Sequence, residues 1–226
     1  MSEAKVNYQR ALEATLAELA REKRTPRLLL HACCAPCSSY VLEYLSKYFY
    51  ITVLYYNPNI SPEEEYGKRA AELKRLIEEL PAEHEIRLIA GRYEPERFYE
   101  LARGLEREQE GGERCLRCYR LRLAEAAGQA LAGGFDYFTT TLSISPLKDA
   151  QKLNAIGREL SEQYGVAYLY SDFKKKDGYK RSIELSQEYR LYRQDFCGCV
   201  YSRAARAEAG KAKPAGDMQE TAEVER

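Results

Sequence analysis

The stretch 27-RLLLHACCAPCSSYVLEYLSK-47 decides the fold. Leu28, Leu29 and Leu30 make a short continuous apolar run, the pattern of a strand buried on both faces rather than one that alternates between core and solvent. The strand is expected to end at His31. Three cysteines, Cys33, Cys34 and Cys37, follow at its carboxyl end, and a helix is expected from Ser38 to Lys47.

Outward from this stretch the same alternation repeats. A strand from Ile51 to Tyr56 is closed by the loop NPNISP, whose Ser61 and Pro62 start a helix from Glu63 to Leu80. A strand from Glu85 to Ala90 leads to a helix around Glu94 to Arg103, and Gly111 to Ala132 reads as mostly helical. Phe135 to Thr140 is the expected fourth strand. After it come a helix from Lys148 to Tyr164, a strand from Val166 to Tyr170, the polar loop SDFKKKDGY, and a helix from about Arg181 to Arg193. Strands alternating with helices imply an α/β fold: a single-domain open parallel sheet with helices on both faces. In such sheets ligands bind beyond the carboxyl ends of the strands, where the first cysteine group falls.

The chain has 226 residues, enough for one domain with a full core. The expected division is an N-terminal amphipathic helix over 1–24, a catalytic domain over 25–203, and a disordered or frayed tail over 204–226, rich in Ala, Glu, Lys and Gly. Lys plus Arg and Asp plus Glu both count 35, so net charge gives no support to nonspecific nucleic-acid or membrane binding. The opening MSEAKVNYQRALEATLAELAREKR lacks the apolar core of a secretory signal, and no run approaches the length that spans a bilayer. The expectation is a cytoplasmic protein with no membrane partner. In a reducing compartment, seven cysteines, an odd number, argue for metal ligation or catalysis rather than a disulfide framework.

The cysteines form three groups: Cys33, Cys34 and Cys37; Cys115 and Cys118 in ERCLRCY; Cys197 and Cys199 in DFCGCVYS. Thiolate is the soft ligand of iron–sulfur clusters and zinc, and the two-electron donor of dithiol chemistry. A Cys-Cys pair with a distant C-x-x-C supplies four thiolates, enough for a four-iron cluster, with Cys37 left over; zinc binding and free core thiols are the alternatives. Cys197 and Cys199 flank Gly198, which relaxes the backbone so that the sulfurs can meet, as in a redox-active dithiol. Further metal ligands or inert thiols are the other reading of this pair. His31 is either a structural group at a strand end or a donor beside the cysteines, and His84 reads as solvated.

Thr139, Thr140, Thr141, Ser143, Ser145, Lys148 and Asp149 gather at the end of the fourth strand, where they can hold a polar ligand or simply start a helix with Ser145 as cap. In SDFKKKDGYKRS, Lys174, Lys175, Lys176, Lys180 and Arg181 are interleaved with Phe173 and Tyr179. Such a segment pairs with phosphates while its rings stack on bases, or is a solvated loop. There is no G-x-x-x-x-G-K-S/T, G-x-G-x-x-G or H-E-x-x-H motif. Cys33 and Cys37 have the first spacing of a radical-SAM triplet, but Tyr40 stands where its third cysteine belongs.

Taken together, HACCAPCS, ERCLRCYRLRL, TTTLSISPLKD and DFKKKDGYKRSIELSQEYRLYRQDFCGC closely resemble the QueH-type epoxyqueuosine reductases, over about Arg27 to Ser202. The resemblance implies a Rossmann-like fold related to adenine-nucleotide α-hydrolases and ATP pyrophosphatases. It implies a [4Fe-4S] cluster, an additional iron beside it, no cobalamin, and tRNA carrying epoxyqueuosine as partner. The implied reaction is the last step of queuosine biosynthesis, two-electron removal of the epoxide oxygen at the wobble position. Carried onto this sequence, Cys33, Cys34, Cys115 and Cys118 look like the cluster ligands and Cys197 with Cys199 like the redox-active pair. Cys37, Cys197, Cys199 or a nearby aspartate is a candidate for the extra iron.

Epoxide opening needs electrons, protons and an electrophile for the departing oxygen. His31, Asp149 and Tyr179 are the candidate proton donors. Arg117 and the loop bearing Lys174, Lys175, Lys176, Lys180 and Arg181 are the candidate grips on tRNA phosphates, and an unidentified electron donor completes the scheme. A tRNA sulfur-transfer enzyme on a related scaffold is the rival enzyme, but it calls for S-G-G-x-D-S after the first strand, where this chain has Cys34-Ala35-Pro36-Cys37-Ser38. A noncatalytic zinc module that binds RNA is the rival from another class.

Overall fold

Leu28, Leu29 and Leu30 lie fully buried on the central strand of a five-stranded parallel sheet. The structure is a computed structural model that describes residues 6–211. In chain order its elements are α1 (Tyr8–Glu22), β1 (Arg27–His31), α2 (Ala35–Leu45), β2 (Tyr50–Tyr55), α3 (Glu63–Glu79), β3 (Ile86–Ala90) and α4 (Pro95–Ala102). They continue with α5 (Glu113–Ala132), β4 (Tyr137–Thr140), a 3₁₀ turn (Thr141–Ile144), α6 (Ala150–Tyr164), β5 (Ala167–Tyr168), α7 (Gly178–Glu188) and α8 (Val200–Lys211).

The strand order is β3-β2-β1-β4-β5, every pairing is parallel, and Leu30 stands opposite Val53 on one side and Thr139 on the other. The chain first winds toward β3 and then returns past β1 to β4. The gap between β1 and β4 is therefore the switch point, where the connections leave in opposite directions and a crevice opens.

Side-chain alternation along the strands divides the core in two. Leu28, Leu30, Ile51 and Val53 pack with the buried leucines of α1, α2 and α3. Leu29, Leu54 and Phe138 pack with α5 and α6. The apolar stripe of α1 is Leu12, Leu16 and Leu19, spaced for one helical face, and each is at most 3 % exposed, so the N-terminal helix belongs to this core. No helix among the described residues is long and apolar enough to cross a membrane.

Several boundaries move from the expected ones for local reasons. α2 starts at Ala35 rather than Ser38, because Pro36 in the first turn has no N–H to leave unsatisfied. Cys37 thereby becomes helical. α6 is capped by Asp149, whose carboxylate accepts from Gln151 N at 2.8 Å, while Ser145 closes the 3₁₀ turn instead. β5 holds only two residues of the expected five. α7 starts at Gly178 and stops at Glu188, where Arg190 turns left-handed at φ 49°. α8 crosses the expected boundary at 203 and continues to Lys211; the tail expectation for 212–226 falls outside the described residues.

Candidate metal and redox centre

β1 ends at His31, and the chain runs through Cys33 and Cys34 directly into α2. Cys34 is the extended N-cap of that helix, and its carbonyl accepts from both the N–H (3.2 Å) and the hydroxyl (2.8 Å) of Ser38. One turn further on, Cys37 points back. The sulfurs of Cys33, Cys34 and Cys37 all lie within 4.8 Å of one another, with Cys33 and Cys34 3.7 Å apart. Cys115 lies in the first turn of α5 and packs in the same apolar cluster as Cys33 and Cys34.

Cys118, one turn along α5, packs instead with Cys199, and Cys197 lies against them. Cys197 and Cys199 are free thiols with their sulfurs 3.5 Å apart. Gly198 between them has φ 116°, a conformation only glycine adopts without strain, and a Cβ there would meet Ile60 at 2.8 Å. The loop is pinned where Ser61 N donates to the Gly198 carbonyl at 3.0 Å. Cys199 immediately precedes α8: its carbonyl accepts from Arg203 N at 3.1 Å and its sulfur from Ser202 N at 3.4 Å. All three cysteine groups thus sit at helix N-termini, where unpaired N–H groups and the helix dipole favour thiolate.

All seven cysteines line one cavity of about 430 Å³ at the crossover edge of the sheet. Arg69, Arg114, Arg122 and Lys148 line it as well. Arg122 is buried; its Nε donates to Cys118 O at 3.3 Å and its Nη1 to Asn57 Oδ1 at 3.4 Å. Lys148 lies 3.7 Å from Glu110 with its side chain only 10 % exposed.

Each end of the site separates a thiolate from protonated neighbours. Hydrogen bonding from Cys34, then Cys37, with Arg122 adding to it, holds Cys33 well below the ordinary thiol range. Its neighbours are pushed the other way: Cys34 to about 12 and Cys37 upward, in both cases chiefly by their bond to Cys33. At the far end the Cys199 hydrogen bond, with Lys148 and Ser202 contributing, draws Cys197 down, while Cys199 is raised by the same bond. Burial lifts Cys118 to about 11.

The other expected site residues divide. Tyr179 lines the cavity and is about 36 % exposed. His31 and Asp149 are not among the lining residues. His31 is fully buried; Nε2 lies 3.1 Å from Tyr56 O, which can only accept, so Nδ1 must accept from the Thr140 hydroxyl at 2.9 Å. Burial, then the nearby Arg122, depresses its pKa to about 4. Asp149 is engaged as the α6 cap.

Among the expected phosphate grips, Lys174 pairs with Asp172 at 2.7 Å, Lys176 with Glu13 at 3.4 Å, Arg181 with Glu43 at 2.6 Å and Arg117 with Glu113 at 3.0 Å. Lys175 and Lys180 are exposed. Phe173, expected to stack on bases, is only 1 % exposed in the core and cannot do so.

The cavity also holds residues the sequence reading passed over. Arg122 was findable: Cys115, Cys118, Tyr119 and Arg122 follow the i, i+3, i+4, i+7 spacing of one helix face. Arg69 carries no such signal, because only the fold brings α3 to the C-x-C loop, where its Nη1 donates to Cys197 O at 3.2 Å.

Clustered thiols together with buried cations, at the switch point of a parallel sheet, mark an α/β protein with a cysteine-lined site, in which Cys33, Cys34 and Cys37 lie close enough to hold a metal ion. The comparisons with known proteins narrow this. A family model described as epoxyqueuosine reductase QueH matches residues 28–205. The chain is 42 % identical over 200 residues to the epoxyqueuosine reductase QueH of Streptococcus pyogenes serotype M1, covering 88 % of this chain and 78 % of that one. The relative of the same name in Staphylococcus epidermidis is 41 % identical over 89 % of this chain and 87 % of its own. That in Thermotoga maritima is 33 % identical over 80 % and 92 %. The chain belongs to the epoxyqueuosine reductase QueH family.

Proposed function

We propose that this protein is the oxidoreductase that converts epoxyqueuosine to queuosine at the wobble position of tRNA, in the cytoplasm. Beyond family membership, the observation that supports this is the convergence of all seven cysteines on one cation-walled cavity.

The net reaction breaks both C–O bonds of the epoxide, forms an alkene and releases the oxygen as water, consuming two electrons and two protons. Cys199 as thiol and Cys197 as thiolate, with sulfurs 3.5 Å apart, are suited to supply the electron pair and one of the protons: they become one disulfide as the epoxide becomes alkene and water, and a second group supplies the other proton. Atoms and electrons balance, and an external electron donor then restores the dithiol. Tyr179 is the candidate proton donor that lines the cavity. Lys148 and the buried arginines offer fixed positive charge to the departing oxygen.

Cys33, Cys34, Cys115 and Cys118 would hold the [4Fe-4S] cluster, with Cys37 close enough to Cys33 and Cys34 to compete for a place or to serve an additional iron. Asp195, which lines the cavity near Cys197, is the carboxylate candidate for that iron. When bound, the cluster supplies one-electron relay and an open iron supplies Lewis acidity; cobalamin has no role in this scheme. Lys175 and Lys180, exposed and outside the ion pairs described above, are the stronger candidates for tRNA phosphates.

Anaerobic purification followed by metal analysis and nucleoside analysis tests the reading. The expected protein is brown, contains iron and sulfide, and converts epoxyqueuosine tRNA to queuosine tRNA; Cys115→Ala loses both colour and conversion. A colourless protein holding one zinc and lacking conversion would make it a zinc-binding RNA module instead.

A further inference from the structure

Five buried side-chain polar atoms lack a hydrogen-bond partner among the described residues, and four belong to residues lining the cysteine cavity: Asn59 Oδ1, Arg69 Nη2, Arg114 Nε and Gln194 Oε1. Buried polar groups are nearly always paired, so four orphans around one cavity mark a place where a ligand's polar atoms belong. They are not spread evenly. Arg69 is bonded to the Cys197 carbonyl, and Gln194 precedes Cys197 by three residues. Asn59 lies two residues before Ser61, which is bonded to Gly198, and the Arg114 guanidinium packs 4.4 Å from the ring centre of Tyr201, two residues past Cys199. All four surround the C-x-C loop.

The set contains two donors and two acceptors. A backbone phosphodiester has only acceptor oxygens to offer and would leave Asn59 Oδ1 and Gln194 Oε1 facing negative charge. A group bearing hydroxyls together with an ether-type oxygen satisfies all four, and an epoxide on a hydroxylated ring is such a group. Resting on the reading above, we propose that Asn59, Arg69, Arg114 and Gln194 form the subsite for the oxygenated ring of the modified base, seating its epoxide against Cys197 and Cys199. Electrons then enter the substrate from the C-x-C end of the cavity, and the Cys33, Cys34 and Cys37 end is the donor side. The subsite recognises the modification rather than the tRNA.

The test measures binding of the full-length, anaerobically purified protein to two tRNAs that differ only at the wobble base, epoxyqueuosine or guanine. Wild type is expected to favour the modified tRNA by about tenfold or more, the scale of one or two buried hydrogen bonds. Gln194→Ala is expected to bring that preference below about twofold, with affinity for guanine tRNA and iron content unchanged, and Arg69→Lys is expected to lose the preference as well. Gln194 is only half-buried and its Oε1 has no hydrogen-bond partner to lose, so its variant folds even if the Arg69 change does not. Preference retained in Gln194→Ala, or an equal loss of affinity for both tRNAs, overturns the subsite. Competition by inorganic phosphate for the modified base alone would overturn it in favour of an anion site. Absence of conversion by wild type is a failure of the functional reading instead.

Discussion

Arg69 on α3 donates from Nη1 to the carbonyl of Cys197 at 3.2 Å, joining positions 128 residues apart. Its Nε bonds Glu65 Oε1 at 2.7 Å, and its guanidinium lies 5.1 Å from the Phe196 ring centre. One buried cation therefore fixes the approach to the C-x-C loop. Arg69→Met leaves the Glu65 carboxylate with only the Tyr192 hydroxyl and the Cys197 carbonyl without its side-chain donor, and the expected loss of stability in urea unfolding is about 3 kcal/mol. A loss under about 0.5 kcal/mol, the usual size for a surface change, would show that Arg69 does not hold the loop.

Gly198 is required for both its φ of 116° and its closeness to Ile60. Gly198→Ala should cost about 1–3 kcal/mol in thermal or urea unfolding and separate the two sulfurs. The sharper readout is disulfide formation between Cys197 and Cys199 under mild oxidation, counted by thiol alkylation and mass. Unimpaired closure of the bond in the variant would contradict the role given to this glycine.

Ser202 Oγ lies 3.1 Å from Cys197 Sγ and adds to the forces drawing that thiol's pKa down. Removing the hydroxyl withdraws a partner from the thiolate, so the pKa of Cys197 must rise in Ser202→Ala. In metal-free protein the alkylation profile of Cys197 should shift to higher pH, with slower reaction near neutrality. A profile that stays in place, or moves down, excludes Ser202 as a thiolate partner.

His31 is neutral in the fold, its pKa depressed from 6.5 to about 4, chiefly by burial. The unfolded chain binds this proton more readily than the folded one. Stability from His31 is therefore complete above about pH 6.5 and declines as pH falls toward 4. The decline attributable to this group is up to about 3 kcal/mol. His31→Gln should flatten the stability profile across that window, whatever its effect at neutral pH. An unchanged slope would place the proton uptake on other groups.

The alternation of apolar runs with helical stretches carried the sheet because its central strands are short, bounded and buried, as Leu28 to Leu30 are, although the edge strand β3 has no fully buried residue. Boundaries slipped where one residue's stereochemistry outweighs periodicity, as Pro36 does in opening α2 early and Asp149 in capping α6. The cysteines were legible by their rarity and spacing. How the groups divide along the cavity was not, since Cys115 packs with Cys33 and Cys34 whereas Cys118, one turn on, packs with Cys199. Charge was the least legible property. Lys174, Lys176 and Arg181 read as a basic run, yet their acidic partners Asp172, Glu13 and Glu43 come partly from distant helices. Arg69 and Arg122, scattered in sequence, are the cations that the fold gathers on the cavity.

The cavity's sulfurs are drawn from residues 33–37, 115–118 and 197–199, segments separated by long stretches of chain. During synthesis the first three cysteines leave the ribosome long before their partners exist. All seven sulfurs can meet only after residue 199 has emerged, and a growing chain that stops short of it offers only part of the site.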